Sequence, residues 1–362
     1  MKIAILTGYW NPPHFCGGIS RVIFELRKVW VKQGHTVHIY APRTITDAKA
    51  GIFHIPIPPL PLRAVFTNLY IRLFVDLSDY DILFPQSLIQ ALFLNKAKCI
   101  PFVHTLSAVE HRIPWRFWRY TIPLIERYAA KNLRTCVVLS SDTGKRLCGQ
   151  FGFQHASILQ CNNGVNYRVF KPYRKRKSAD FIVLTAGRFI PRKRFDLLIR
   201  AFAGFAKNRP NVKLIVAGEG LLKSKLQKLV KSLCVAHQVS FPGMVDTDGM
   251  IDLYRSASIF VFPSSVEGMP MAVLEAQSSA LPVIVGDFET ANELVVNNST
   301  GVIIGSDDLG KWTKAIERLY EYPVLRHRIG EEARKQIVEH FGWEDVADKM
   351  ICHFEKAINT NH

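Results

Sequence analysis

The chain has 362 residues, more than one hydrophobic core usually supports, and at 48% hydrophobic and 21% charged it has apolar material for two. That composition excludes global disorder, and no apolar run reaches the ~18 residues that a membrane span needs. The net charge of +17 is lopsided: residues 1–175 carry 23 Lys and Arg against 8 Asp and Glu, and the remainder carries 24 against 22. The basic half is therefore expected to meet an anionic surface or acceptor, and the near-neutral half something else. Seven cysteines form no close-spaced pair, which reads as free thiols in a reducing compartment. Met1-Lys2 leads straight into the apolar IAILTGY, a first strand rather than a secretory leader, so a cytoplasmic protein is expected.

In chain order, IAILTGY runs into the loop NPPHFCGG and a helix over Ile19–Lys32, and HTVHIYAP is a second strand. Residues 51–77 read as a Pro-rich loop and one helix. DILFPQS, CIPFVHT and TCVVLSS are strand-to-loop units, and SILQCNNGV closes the first half with a turn. The basic, Pro-containing FKPYRKRKSAD reads as a linker. The second half restarts with FIVLTAGRF, a helix in DLLIRAFAGFAK, the strand and Gly loop VKLIVAGEG, and a basic helix in LKSKLQKLVKSLCV. QVSFPGMV, MIDLYRSA, IFVFPS, PMAVLEAQSSA and LPVIVGD continue the alternation, and the tail from Lys311 is mostly helical. This rhythm predicts an α/β protein with parallel sheets, whose ligands bind at the carboxyl ends of strands. Domains are expected at residues 1–172 and 178–338, followed by a terminal helical segment over 339–362.

There is no GxGxxG fingerprint, GxxxxGK[ST] loop, HExxH or GxSxG, which removes most of the case for dinucleotide enzymes, P-loop proteins and zinc or serine hydrolases. The residues that stand out are a pair of glutamates, Glu267 and Glu275, in EGMPMAVLE. The first lies at a helix mouth, where free amides and a positive helix end suit a phosphorylated ligand. Arg188 and Lys193 lie in GRFIPRKRFDLL, where Arg192 and Arg194 complete a basic quartet suited to a diphosphate. Gly17-Gly18 lets backbone approach a ligand before a helix, or is a flexible turn. His104 ends a strand, placed to bond a sugar hydroxyl or to serve as an ordinary loop histidine. In residues 111–134, aromatics alternate with arginines; Arg112, Trp115, Arg116, Trp118 and Arg119 would face a lipid headgroup layer, a lipid-linked acceptor, or the domain interior with snorkelling arginines. No RNA-binding signature accompanies them, so no nucleic-acid partner is expected.

Together these marks resemble the retaining, nucleotide-sugar-dependent glycosyltransferases of GT-B fold, family 4. The resemblance rests on GRFIPRK, VAGEG, VSFPGMV, LYRSASIFVFPSSVEGMPMAVLEA and LPVIVGD in family order, with Gly17-Gly18, His104, VVLSS and CNNGV in the first half. It implies two Rossmann-like parallel-sheet domains facing across a cleft, the first on the acceptor side and the second binding the donor, with the last helix crossing back to the first. It places Arg188 and Lys193 on the donor diphosphate, near the Gly218 loop, and Glu275 on the ribose. Glu267, with Gly268, Met269 and Pro270, would hold the transferred sugar, Met244 and Val245 would frame the base, and His104 would stand near the sugar. Gly17 and Gly18 would approach from the other domain. UDP is the expected nucleotide, with a glycan or lipid-linked acceptor. A peripheral position at the inner face of the cytoplasmic membrane is the companion expectation, and neither cofactor nor metal is required. Two alternatives stay open: a sugar-nucleotide epimerase of the same fold, and a non-catalytic sugar-nucleotide or glycan binder. Two positions depart from the pattern. Arg194 stands where glycine is common, and Phe84-Pro85-Gln86 lacks a frequent histidine.

Overall fold

The structure is a computed structural model that describes residues 1–8, 18–42, 47–56, 63–104, 116–131, 133–153, 157–172, 180–305 and 307–359, of which 63–65, 68 and 116–120 are described by backbone only. The chain forms two compact units, Met1–Asn163 with Trp343–His362, and Gly164–Gly342. In order, the first contains β1 (Lys2–Leu6), α1 (Gly18–Lys32), β2 (Thr36–Pro42), β3 (Ile52–Ile55), α2 (Arg63–Phe74), β4 (Ile82–Pro85), β5 (Phe102–Val103), α3 (Arg116–Lys131), β6 (Thr135–Val138), α4 (Ser141–Phe151) and β7 (Ser157–Gln160). The second runs β8 (Phe181–Ala186), α5 (Phe195–Ala206), β9 (Val212–Ala217), α6 (Lys223–Ser232), β10 (Val239–Gly243), α7 (Thr247–Ser256), β11 (Ile259–Phe262), α8 (Met271–Ser278), β12 (Val283–Gly286), α9 (Ala291–Leu294), β13 (Gly301–Ile304), α10 (Leu309–Glu321) and α11 (Pro323–His340). The last helix, α12 (Trp343–Asn359), packs in the first unit.

Every strand pair among the described residues is parallel. The first unit has sheets of order β3-β2-β1-β4 and β5-β6-β7, joined by a parallel bridge from Leu83 to Cys99. The second has one sheet, β10-β9-β8-β11-β12-β13. Central strands such as β1 and β11 are buried on both faces, hence their uninterrupted apolar runs. Sequence order and sheet order diverge at β8, where the next strand laid on its far side is β11; a parallel sheet opens a ligand crevice at such a switch.

Helices read as amphipathic bury their apolar faces. α1 inserts Val22, Ile23, Leu26 and Trp30. The Trp30 indole packs against Phe84 and Phe354 and donates to the Ala347 carbonyl at 3.3 Å, which ties α12 to this unit. His353 of α12 meets Thr135 Oγ1 at 2.9 Å. α4 starts on Ser140, whose Oγ accepts from the Thr143 amide, and ends at Gly152 in the left-handed region.

Three features differ from expectation. The stretch read as loop plus helix over 51–77 also contains β3, a four-residue IFHI strand beside a proline run. SILQ, read within a turn, forms β7. The unit boundary falls at 163/164 rather than 172, and at 342/343 rather than 338/339. The reason is that Val165 bridges Gly342, and Arg334 Nη1 donates to the carbonyls of Tyr167 and Phe170, which sews 164–172 to the second unit. Cys99, Cys136, Cys148, Cys161, Cys234 and Cys352 are free thiols; burial pushes the Cys161 thiol up to about 12.

Candidate functional site

In the second unit the carboxyl ends of β8 and β11 lie side by side, because these strands pair through Ile259 and Val183. After β8 the chain turns through Gly187 and the exposed Arg188 into a single 3₁₀ turn, Pro191–Lys193. That turn closes at Arg194, whose φ of 51° and ψ of 38° place it in the left-handed region and release the chain into α5. The turn points Lys193 inward, where it is buried. Its Nζ lies 2.7 Å from Glu267 Oε1 and 4.4 Å from the centre of the Phe262 ring.

Glu267 comes from the loop after β11 and is buried too. Its Oε1 also lies 3.1 Å from Arg192 Nη1 and accepts from Ser264 Oγ at 2.5 Å. Arg192 further donates from Nη1 to the Val266 carbonyl at 2.6 Å, and its own carbonyl accepts from the Ser265 amide at 3.2 Å. The two loops are thereby laced into one body. All these contacts fall on one carboxylate oxygen, so among the described residues Oε2 is the side of Glu267 left to a ligand. Burial pushes the Lys193 ammonium down from its ordinary range, while the Glu267 carboxylate holds its proton in place. Arg188 is close enough that its charge also lowers Lys193.

The neighbouring strands complete the rim. Gly218, after β9, has φ +130°, and a Cβ there would stand 2.0 Å from the Gly187 carbonyl oxygen. Only glycine allows these two strand ends to touch. Met244 and Val245 follow β10; Met244 is exposed and Val245 half-buried. Gly268 accepts a hydrogen bond at its carbonyl from the buried Thr290 hydroxyl, Met269 is buried, and Pro270 caps α8 without a side-chain bond. Glu275, in α8, accepts from Tyr254 Oη at 2.9 Å. The structure therefore brings Lys193 and Glu267 into direct contact and sets Arg188 and Gly218 at neighbouring strand ends, with Glu275 inside the helix that follows β11.

His104 stands in the first unit, at the end of β5, buried and 4.1 Å ring to ring from Phe102. Its Nε2 donates to Gln86 Oε1 at 3.0 Å, the tautomer that Gln86 requires because its Nε2 donates to the Phe84 carbonyl. Burial pushes this imidazole down to about 3, so it is neutral through the physiological range, with Nδ1 left as an acceptor. Gly18 opens α1 and is exposed, whereas Gly17, Arg112 and Trp115 lie outside the described residues. Arg116, Trp118 and Arg119 fall in the first turn of α3, with side chains outside the described part.

Sequence reasoning missed several partners. Arg192 is grouped by sequence with the diphosphate cations, but it clamps Glu267. Ser264 is a small polar residue at a strand end, as common in a turn as in a site. Tyr254 and Gln86 sit in otherwise apolar patterns, and only the topology reveals what they meet.

Two family profiles cover most of the chain: glycosyl transferases group 1 over residues 169–336, and glycosyltransferase family 4 over residues 16–169. The chain belongs to the GT-B glycosyltransferases of group 1. Among curated relatives, a Corynebacterium glutamicum GDP-mannose-dependent monoacylated alpha-(1-6)-phosphatidylinositol monomannoside mannosyltransferase is 28% identical over 59% of this chain and 59% of its own. A D-inositol 3-phosphate glycosyltransferase of Streptomyces avermitilis is 29% identical over 61% of this chain and 52% of its own. The matches thus span little more than half the length of these relatives. A Mycobacterium tuberculosis GDP-mannose-dependent alpha-(1-6)-phosphatidylinositol monomannoside mannosyltransferase is 24% identical over 96% of this chain and 97% of its own. Solved structures with the same fold include sucrose-phosphate synthase of Thermosynechococcus elongatus (TM-score 0.86, 18% identity, 99% of both chains) and HepE of Anabaena in complex with UDP (0.80, 16%, 98% and 100%).

Proposed function

We propose that this protein transfers a hexosyl group, with retention of anomeric configuration, from a nucleoside-diphosphate sugar to a hydroxyl of a glycan or lipid-linked acceptor. The observation that carries the reading is the buried Lys193–Glu267–Arg192–Ser264 cluster, with Arg188 open beside it. Four parallel strand ends run from Met244 through Gly218 and Arg188 to Glu267, and at a strand spacing of ~4.8 Å that row is roughly 14 Å long. It orders an apolar rim, a glycine turn, cations and a carboxylate, which suits a donor laid with its base toward Met244 and its sugar toward Glu267.

In this reading Arg188 and Lys193 take the diphosphate, whose charge grows as the sugar departs, so their fixed positive field stabilises the leaving group. Lys193 has three donors and serves Glu267 and a phosphate together. Arg192 stays on Glu267 and keeps that carboxylate in place. Glu267 offers Oε2 to the hydroxyls of the sugar, and the acceptor oxygen enters on the face from which the diphosphate leaves. Glu275, oriented by Tyr254, takes the ribose hydroxyls. His104, neutral in the first unit, is fitted to accept a hydrogen bond from a hydroxyl rather than to supply a proton. No metal is required, because the cations do its work at the diphosphate.

The printed names of the relatives favour a GDP-mannose donor, and the UDP of HepE favours the other nucleotide. Calorimetric titration with UDP, GDP and ADP separates them. One nucleotide is expected to bind, with at least about tenfold loss in Arg188→Ala, which removes an exposed charge and leaves the fold intact. Equal affinity of the variant for that nucleotide would remove the diphosphate from this site.

A further inference from the structure

We propose that the outward face of α2, with Phe93 beside it, docks this protein on an anionic lipid bilayer. The inference deepens the reading of a lipid-linked acceptor, but it is tested without donor or acceptor, so either can fail alone. In α2 the large apolar residues Phe66, Leu69, Leu73 and Phe74 recur at the spacing of one helical face, while Tyr70 packs back toward the core. That face points outward: Leu73 is 63% exposed and Phe74 70%, with Phe66 and Leu69 exposed as well. The face turned inward carries Ile71 and Thr67, and the Thr67 hydroxyl is fully buried with no hydrogen-bond partner among the described residues. Four large apolar side chains left on one exposed face call for an apolar phase outside.

The next element extends the surface. Phe93 is exposed and holds φ at +66°, an uncommon conformation for a bulky residue, while its carbonyl accepts from Arg72 Nη1 at 2.8 Å. Between this loop and the end of α2 lies a cavity of about 240 Å³, lined by Val75, Leu77, Phe93 and Leu94 with Arg72 and Lys98 among them. Apolar walls next to the exposed Arg72 match the junction of an acyl chain and a phosphate headgroup, while Lys98 is held by the carbonyls of Ser78 and Tyr80.

Charge selects the occupant. Arg72 and Lys96 are exposed beside the apolar residues, and the turn Ile89–Ala91 that touches α2 also touches α3, where Arg127 and Lys131 are exposed. Three acids, Asp76, Asp79 and Asp81, also stand past the end of α2, so the attraction rests on the net charge of +15 over residues 1–175 (23 Lys and Arg against 8 Asp and Glu). A second copy would bring one strongly basic half against another, whereas an anionic leaflet attracts each Lys or Arg near its surface.

The test is co-sedimentation of the full chain with vesicles of phosphatidylcholine alone or mixed with phosphatidylglycerol, for the wild type and for Leu73→Glu/Phe74→Glu. Both positions are solvent-exposed, and thermal melting and nucleotide affinity check the variant's fold. The expected result is salt-weakened binding to the phosphatidylglycerol vesicles only, reduced about tenfold or more in the variant. Absence of wild-type binding, or equal binding by the variant, would overturn the proposal. So would a dimer in light scattering that the same substitutions split.

Discussion

Each unit ends its central parallel strands in a buried polar group, but the two are built on opposite principles. In the second unit the group is ionic: Glu267 accepts from two cations and a hydroxyl, and the burial of its charge is matched by charge. In the first it is neutral: His104 donates to an amide and is kept uncharged by burial. An ionic cluster of this kind is fitted to a charged ligand and fails when one member is removed. A neutral imidazole is fitted to hydroxyls and fails when pH forces a charge on it.

The sharpest way to break that contrast is Glu267→Gln, for which the expected fall in kcat is about 10²–10³-fold. The variant also removes the carboxylate that holds the Lys193 proton. Lys193 already titrates below the ordinary lysine range, so nucleotide affinity should weaken as pH rises through its pKa, and Glu267→Gln should move that loss to lower pH. Titrations of nucleotide binding across alkaline pH decide it. Superimposable profiles would mean that the pair is not coupled.

Next in size is Gly218→Ala, whose added methyl would sit on the Gly187 carbonyl oxygen at a backbone angle that alanine avoids. A loss of about 3 kcal/mol in urea denaturation is expected. Gly149→Ala, in α4, is the counterpart in the first unit: nothing lies within 4 Å, and a gain of about 0.5–1 kcal/mol is expected. Parity between the two would mean that the strand ends of the second unit are less tightly apposed than described here.

His104 comes third. Its imidazole is held near pKa 3 when folded and returns to about 6.5 when unfolded, so the unfolded chain binds the extra proton between those values. Stability from this group is complete above about pH 6.5 and is lost as pH falls, by about 2 kcal/mol from pH 7 to pH 5. His104→Asn should flatten that part of the profile in denaturant titrations. The sloping remainder belongs to His35, His38 and His353, which burial also lowers.

How far the sequence anticipated this depends on whether a residue's role is local. The alternation of apolar runs and helices, the Gly218 turn and the Glu267 helix mouth are local patterns, and the fold follows them. Short strands beside prolines or turns, IFHI and SILQ, carry too few residues to show a period. The contact between Lys193 and Glu267 is another matter. It joins positions 74 apart through the accident that β11 lies beside β8, so the sequence assigned one to phosphate and the other to sugar without placing them together. Gln86 is the same case in the first unit: the sequence marks it only as standing in a strand end that lacks a histidine, and the fold alone brings it to His104.

Arg194 is the smallest and most local test. The resemblance calls for glycine here, and the backbone explains why: the residue closes the 3₁₀ turn in the left-handed region, at a cost of about 1–2 kcal/mol for a residue with a Cβ. The loop keeps that shape with arginine in it, and the guanidinium turns away to the exposed carboxylate of Asp307. Arg194→Gly relieves the backbone, loses a surface pair worth about 0–1 kcal/mol, and loosens the unfolded chain by about 0.5–1 kcal/mol. These terms offset, so unchanged stability and unchanged nucleotide affinity are expected from denaturation and calorimetry. A drop in affinity would instead make Arg194 a third cation at the diphosphate, beside Arg188 and Lys193.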